Sequence, residues 1–155
     1  MSDESPGGTA QSGGAHGHDG DAILWTDGAA RGNPGPAGIG ALLKTPSGDV
    51  LSADSAYVGE ATNNVAEYKA LLLGLERALE LGVRRIEVRT DSELLVKQIK
   101  GQYRVKSPGL KPLFQAATAL LARFEASRLV HVRREYNAEA DRLANAGIDS
   151  FTRRG

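Results

Sequence analysis

Four acidic residues stand where apolar runs meet polar ones: Asp27 after "ILWT", Glu67 in "NNVAEY", Asp91 after "IEVRT" and Asp141 in "NAEAD". Carboxylates gathered in one place repel unless a cation neutralises them, and hard divalent ions with oxygen ligands do so. Two such ions spaced about 3.5–4 Å apart activate a water and stabilise the leaving oxygen of a phosphodiester. Metal-dependent phosphodiester hydrolysis is therefore the chemistry that would use all four acids. The chain has no cysteine, so a metal would be held by oxygen or imidazole, a donor set that favours magnesium.

Each acid also has an ordinary structural reading. Asp27 before Gly28 is a common turn pair. Glu67, three residues after Asn64, fits the reciprocal glutamate of a capping box. Asp91 falls between a strand and a helix, where aspartate is a favoured N-cap. Asp141 lies in the first turn of a helix, where the macrodipole favours negative charge.

The elements that must position these acids tip the balance. Residues 22–26 read as a buried strand, followed by a Gly/Pro loop over 28–36 and a second strand, "GIGALLKT". A turn at "PSGD" leads to a third, "VLSADSAYV", which predicts an antiparallel meander. "NNVAEYKALLLGLERALELG" carries Val65, Tyr68, Leu72, Leu75 and Leu79 at helical spacing and stops on Gly82. A fourth strand, "RRIEVRT", runs into the short helix "DSELLVKQIKG"; another helix, "SPGLKPLFQAATALLARF", precedes a fifth strand, "RLVHVRRE", and a last helix, "NAEADRLANAG". The order βββαβααβα predicts an α/β fold with a mixed sheet and packed helices. In it Asp27 and Asp91 end strands that flank the first helix. A right-handed crossover makes those strands parallel neighbours, with both carboxylates at one sheet edge.

Length and composition agree with one domain. At 155 residues and 41% hydrophobic the chain supports one core. Residues 1–21 contain none of Val, Leu, Ile, Phe, Tyr or Trp, six glycines, and acids but no Lys or Arg, the composition of a solvated tail. The expected organisation is a disordered tail over 1–21, a catalytic domain over 22–149 and a C-terminal tail over 150–155. No apolar stretch suits a signal peptide or a membrane span, so a cytoplasmic protein is expected. Four of the 19 acids lie in the tail, which leaves 19 basic residues against 15 acidic ones in the remainder. The excess is concentrated: residues 94–124 hold no Asp or Glu but contain Lys97, Lys100, Arg104, Lys106, Lys111 and Arg123, with Tyr103 among them. That run is either a solvated face or a surface for phosphates.

Other signals carry less. "GIGALL" lacks the third glycine of a dinucleotide fingerprint. His16 and His18 are a weak metal pair in the tail, His131 reads as a strand residue, and Trp25 reads as core.

The motifs resemble those of the type 1 ribonucleases H. "TDGAARGNPGPAG" is similar to that family's first-strand motif, "TNNVAEYKAL" to its Asn-Asn-x-x-Glu helix start, "RTDSELLVKQI" to its second aspartate and "NAEADRLAN" to its final aspartate helix. The resemblance spans residues 23–147, with four motifs in order. It implies a five-stranded sheet of order 3-2-1-4-5 with helices on both faces, and endonucleolytic cleavage of the RNA strand of RNA/DNA hybrids to 5′-phosphate and 3′-hydroxyl ends. It further implies two Mg2+ ions, replaceable by Mn2+, bridged by Asp27, with Asp141 on the nucleophile side and Glu67 and Asp91 on the leaving-group side. Asn33, Asn63 and Asn64 match hybrid-contacting positions. Thr62 and Asn64, with Lys106 or Ser107, match a pocket for a DNA-strand phosphate. The expected partner is the hybrid alone, bound by a monomer without membrane association.

Two departures stand out. Many members carry a histidine before the last aspartate, where "RREYNAEAD" has none, leaving Arg134, Glu135 or Glu139 as substitutes. Only "QYRVK" separates the short helix from the next, so a basic protrusion is missing, as in archaeal and actinobacterial forms, and grip would rest on Lys97, Lys100, Arg104 and Lys106. Rival readings are a proofreading-type exonuclease, whose Asp-x-Glu strand motif is absent, a junction resolvase, and a hybrid-binding module that has lost catalysis.

Overall fold

The structure, a computed structural model, describes residues 20–154. The element order is β1 (Asp21–Ala30), β2 (Gly35–Lys44), β3 (Val50–Ala61), α1 (Asn63–Glu80), β4 (Arg85–Thr90), α2 (Glu93–Ile99), α3 (Lys111–Leu121), β5 (Ala126–His131) and α4 (Ala138–Arg154), with one 3-10 turn at Arg134–Tyr136. The five strands form one sheet of order β3-β2-β1-β4-β5. β1, β2 and β3 pair antiparallel, while β1, β4 and β5 run parallel, as the βββαβααβα pattern predicts.

Strand alternation sorts the two faces. Ala22, Leu24, Ala41, Leu43 and Val88 turn to the side covered by α1, where they meet Tyr68, Leu71 and Leu75 in the main core. Full burial of each large aliphatic side chain there contributes about 1.5–3 kcal/mol. Gly74 seats α1 on β1, because a Cβ there would lie 2.7 Å from the Leu24 methyls.

The opposite face is built for close approach of a helix. Gly38 and Gly40 of β2 leave it bare, and a Cβ would lie 2.1 Å from Ala144 O at the first and 2.5 Å from Ala140 O at the second. The buried Ala140, Ala144 and Ile148 of α4 pack into this space. The glycines of "GIGALL" thus serve helix–sheet contact.

Several expected boundaries shift. β1 does not end at Asp27 but continues to Ala30, because its pairing with β2 persists to Ala30↔Ala37. The Gly28–Pro36 loop shrinks to residues 31–34. β5 stops at His131, level with the end of its neighbour β4 at Thr90. α3 occupies only Lys111–Leu121 of its expected span. The last helix does not stop at Gly147, nor does a tail begin at 150: α4 runs to Arg154. Gly147 is needed inside it, since a Cβ would meet Ala56 O at 2.3 Å, and Phe151 stacks on Tyr57 with ring centroids 4.1 Å apart. At the other end β1 already includes Asp21, whose carboxylate pairs with Arg85. Residues 1–19 of the expected N-terminal tail, with His16 and His18, lie outside the described residues. Trp25 is not core: half-buried, it is flanked by Lys44 and Arg89, 5.4 and 5.1 Å from its ring.

Candidate active site

The last parallel pair between the central strands is Trp25↔Arg89. Asp27 and Asp91 each stand two residues beyond it, so both emerge at one level on the carboxyl edge of β1 and β4. Crevices at such edges are the usual ligand sites of parallel sheets. Asp27 faces α4, since its register partner is Gly40, one of the glycines beneath that helix.

Gly28, one residue on, faces α1. A Cβ there would lie 2.3 Å from the Ala66 carbonyl carbon, so glycine lets α1 press onto β1 rather than opening a turn. Past the end of the β4 pairing, the Gly28 N–H donates to Glu67 Oε1 at 3.1 Å. The α1 N-cap is Thr62, whose hydroxyl accepts from Val65 N at 3.2 Å. Glu67 is therefore not the partner of an Asn64 cap, and its carboxylate is turned to the strand edge. Likewise Ser92, not Asp91, caps α2, accepting from Leu95 N at 3.2 Å.

Asp27, Glu67 and Asp91 each offer an oxygen within 4.8 Å of the others. Asp141, in the first turn of α4, brings its carboxyl close enough to Asp27 to raise that residue's pKa. All four acids therefore converge. Burial, then the charge of Asp91, then the nearby Asp141 carboxyl, push the Asp27 carboxyl up to about 8, against a smaller opposing effect of Arg134. Burial, with the charges of Asp27 and Asp91, also holds Glu67 well above the usual carboxylate range. Asp91 Oδ2 is buried without a hydrogen-bond partner; the Arg134 Nε lies 3.9 Å away, an ion pair too long for a hydrogen bond. An all-oxygen donor set with an orphaned buried carboxylate oxygen fits a hard divalent cation.

A cleft of about 550 Å³ opens beside the acids, lined among others by Asn63, Asn64, Glu67, Asp91, Ser92 and Arg134. Asn33 joins this rim, its Oδ1 accepting from Asn63 N at 3.0 Å, while Asn63 Oδ1 accepts from Ala30 N at 3.0 Å. Thr62, Asn33, Asn63 and Asn64 thus come together at the start of α1. Lys106 and Ser107 are exposed on the segment between α2 and α3. Of the three expected histidine substitutes, Arg134 pairs with Asp91 at 3.9 Å, Glu135 lines the same cleft while pairing with Arg133 at 3.2 Å, and Glu139 pairs with Lys44 at 3.4 Å. Exposed His131 also lines the cleft.

One site residue escapes the sequence reading. Asn137 is buried, and its Nδ2 donates to Thr26 O at 3.0 Å, fastening the start of α4 to the strand beside Asp27. Its signal is an asparagine just before a helical run, the place of a cap.

A family model described as "Reverse transcriptase-like" matches residues 25–147. The RNase H1 of the archaeon Halobacterium salinarum superposes with a TM-score of 0.82 at 40% identity, over 84% of this chain and 99% of that one. The chain belongs to the ribonuclease H family. Another ribonuclease H structure, LC11-RNase H1 in complex with an RNA/DNA hybrid, is 46% identical over 84% of this chain and 99% of its own, with a TM-score of 0.81. The bifunctional protein of Mycobacterium tuberculosis is 43% identical over 129 residues, 83% of this chain; the chain spans only 35% of that relative's length. Among the described residues no ribonuclease H helix is long and apolar enough to cross a membrane.

Proposed function

We propose that this ribonuclease H family member is an endonuclease that hydrolyses the RNA strand of RNA/DNA hybrids, leaving 5′-phosphate and 3′-hydroxyl ends. The observation that carries the reading is the convergence of Asp27, Glu67 and Asp91 within 4.8 Å, with the Asp141 carboxyl beside Asp27. The hybrid-bound relative supports the substrate class. These four carboxylates would hold two magnesium ions, with manganese as a substitute. When bound, such ions would supply Lewis acidity for an attacking water and a leaving oxygen. Asp27, which the other acids surround, would help hold both ions and would have to be ionised to do so.

The remaining residues hold the substrate. Asn33, Asn63 and Asn64 offer short amides at the cleft rim, suited to backbone and 2′-hydroxyl contacts that tell RNA from DNA without reading sequence. Thr62 and Asn64, with Lys106 or Ser107, take a phosphate of the DNA strand, and Lys97, Lys100 and Arg104 extend the grip. Arg134, 84% exposed at the mouth, offsets the negative charge of the acids and assists departure of the phosphate product.

The test is incubation of a labelled hybrid with magnesium, beside duplex DNA, duplex RNA and an Asp27→Asn control. Cleavage confined to the RNA of the hybrid and abolished by the substitution is the expected result. Tight hybrid binding without cleavage in magnesium or manganese would overturn the reading in favour of a binding module.

A further inference from the structure

Asp141 comes from the first turn of α4, and a row of polar side chains leads away from it. Asp141, Asn145 and Asp149 recur every four residues and so share one side of α4. Asn145 Nδ2 donates to the Asp141 carbonyl at 3.0 Å and approaches its Oδ1 at 3.5 Å. The other end of the same amide, Oδ1, accepts from Arg31 Nη2 at 3.2 Å. That guanidinium is anchored in turn on Asp149 at 2.8 Å.

The order of these contacts fixes an orientation. A guanidinium only donates, so the Asn145 oxygen must face Arg31 and the amide NH2 must face Asp141. With the amide reversed, its oxygen would confront the Asp141 carboxylate. Arg31 belongs to the four-residue loop 31–34, whose Asn33 is bonded to the start of α1. The loop therefore reaches both helices that bring acids to Asp27: α1 with Glu67 through Asn33, and α4 with Asp141 through Arg31.

We propose that Arg31 and Asn145 are positioning residues: they aim the Asp141 carboxylate at Asp27 and so set the affinity of the site for divalent cations, without touching substrate. The proposal rests on the metal-site reading above. Residues that orient a metal ligand from behind commonly change metal affinity by about 10-fold or more when removed.

The experiment compares the whole chain with Asn145→Ala, Arg31→Ala, Arg31→Lys and the double alanine variant. Manganese binding is measured by calorimetry, and magnesium dependence by hybrid cleavage. Each single alanine is expected to weaken manganese binding and raise the half-saturating magnesium roughly 10-fold. Activity should return at high magnesium with the hybrid KM unchanged. The double variant should be no worse than Asn145→Ala, because the two residues act in series, and Arg31→Lys should keep most of the wild-type affinity. Arg142→Ala, which removes only an exposed pair with Glu139 on the same helix, should change nothing. Folded alanine variants with wild-type manganese affinity, or a loss of activity that magnesium does not restore, would overturn the proposal. If the wild type cleaves no hybrid, the proposed activity falls, while calorimetry still decides the positioning claim; manganese bound equally by all variants, or by none, rejects it.

Discussion

The acid cluster works against the fold when no cation is bound, and Asp27→Asn measures by how much. Asp27 is 4% exposed, and its carboxyl is pushed from 3.8 to about 8. A carboxyl whose folded pKa lies above its unfolded one favours folding fully below pH about 4, and that contribution is lost as pH climbs through about 8. Asparagine keeps the shape without the charge. Moving a titration by one pH unit corresponds to about 1.36 kcal/mol, so ionising Asp27 in the metal-free fold costs several kcal/mol at the upper limit. A gain of about 1–3 kcal/mol for the variant at pH 8.5 is expected. For a domain of this size that is a rise in Tm of roughly 3–10 °C. The assay is thermal unfolding in EDTA at pH 5, 7 and 8.5, repeated with magnesium. The gain should shrink towards zero at pH 5, and magnesium should stabilise the wild type far more than the variant. A variant that is less stable than the wild type at pH 8.5, or a gain independent of pH, would refute the account of the cluster.

Other substitutions probe how the acids are delivered. Gly40→Ala places a Cβ 2.5 Å from Ala140 O and 2.7 Å from Ala144 N, which lifts the first turns of α4; a loss of about 2–3 kcal/mol in urea unfolding and weaker manganese binding are expected. Asn137→Ala removes the buried bond to Thr26 O and should cost about 1–3 kcal/mol, with Asn137→Asp worse because a carboxylate cannot donate. Arg104→Ala and Lys106→Ala, both at exposed positions, should each lower the slope of log hybrid affinity against log salt by roughly 0.7–0.9, measured without activating metal. Lys97→Ala should lower it less, because Lys97 already pairs with Glu93 at 3.3 Å.

Much of the fold is legible because the apolar periodicities are clean. Leu24, Leu43 and Val88 alternate along strands, and Tyr68, Leu71 and Leu75 fall on one side of α1, so element types and order follow from the pattern. The differences cluster where glycine has two possible uses. Gly28 and Gly147 read as turn and stop signals, yet both lie inside elements and serve the contact of a helix with a strand. A glycine needed for its missing Cβ looks the same in sequence as one needed for positive φ. Gly82 and Gly101, which end α1 and α2 with φ of 81° and 82°, are legible as stops because the apolar repeat also ends there.

The site is legible for a different reason. Every acid has a capping or turn explanation, and the structure assigns two of those tasks to other residues: Thr62 caps α1 in place of Asn64, and Ser92 caps α2 in place of Asp91. A carboxylate beside a filled cap has no local work left, and Asp91 keeps a buried oxygen with no hydrogen bond at all. Leaving such a group unsatisfied costs about 1–3 kcal/mol or more, so its retention points to a ligand rather than to the helix. The row Asp141, Asn145, Asp149 is also visible at a spacing of four. Its meaning is not, because the residue that orders it, Arg31, is 114 positions away from Asn145 in sequence and reaches it only through the fold.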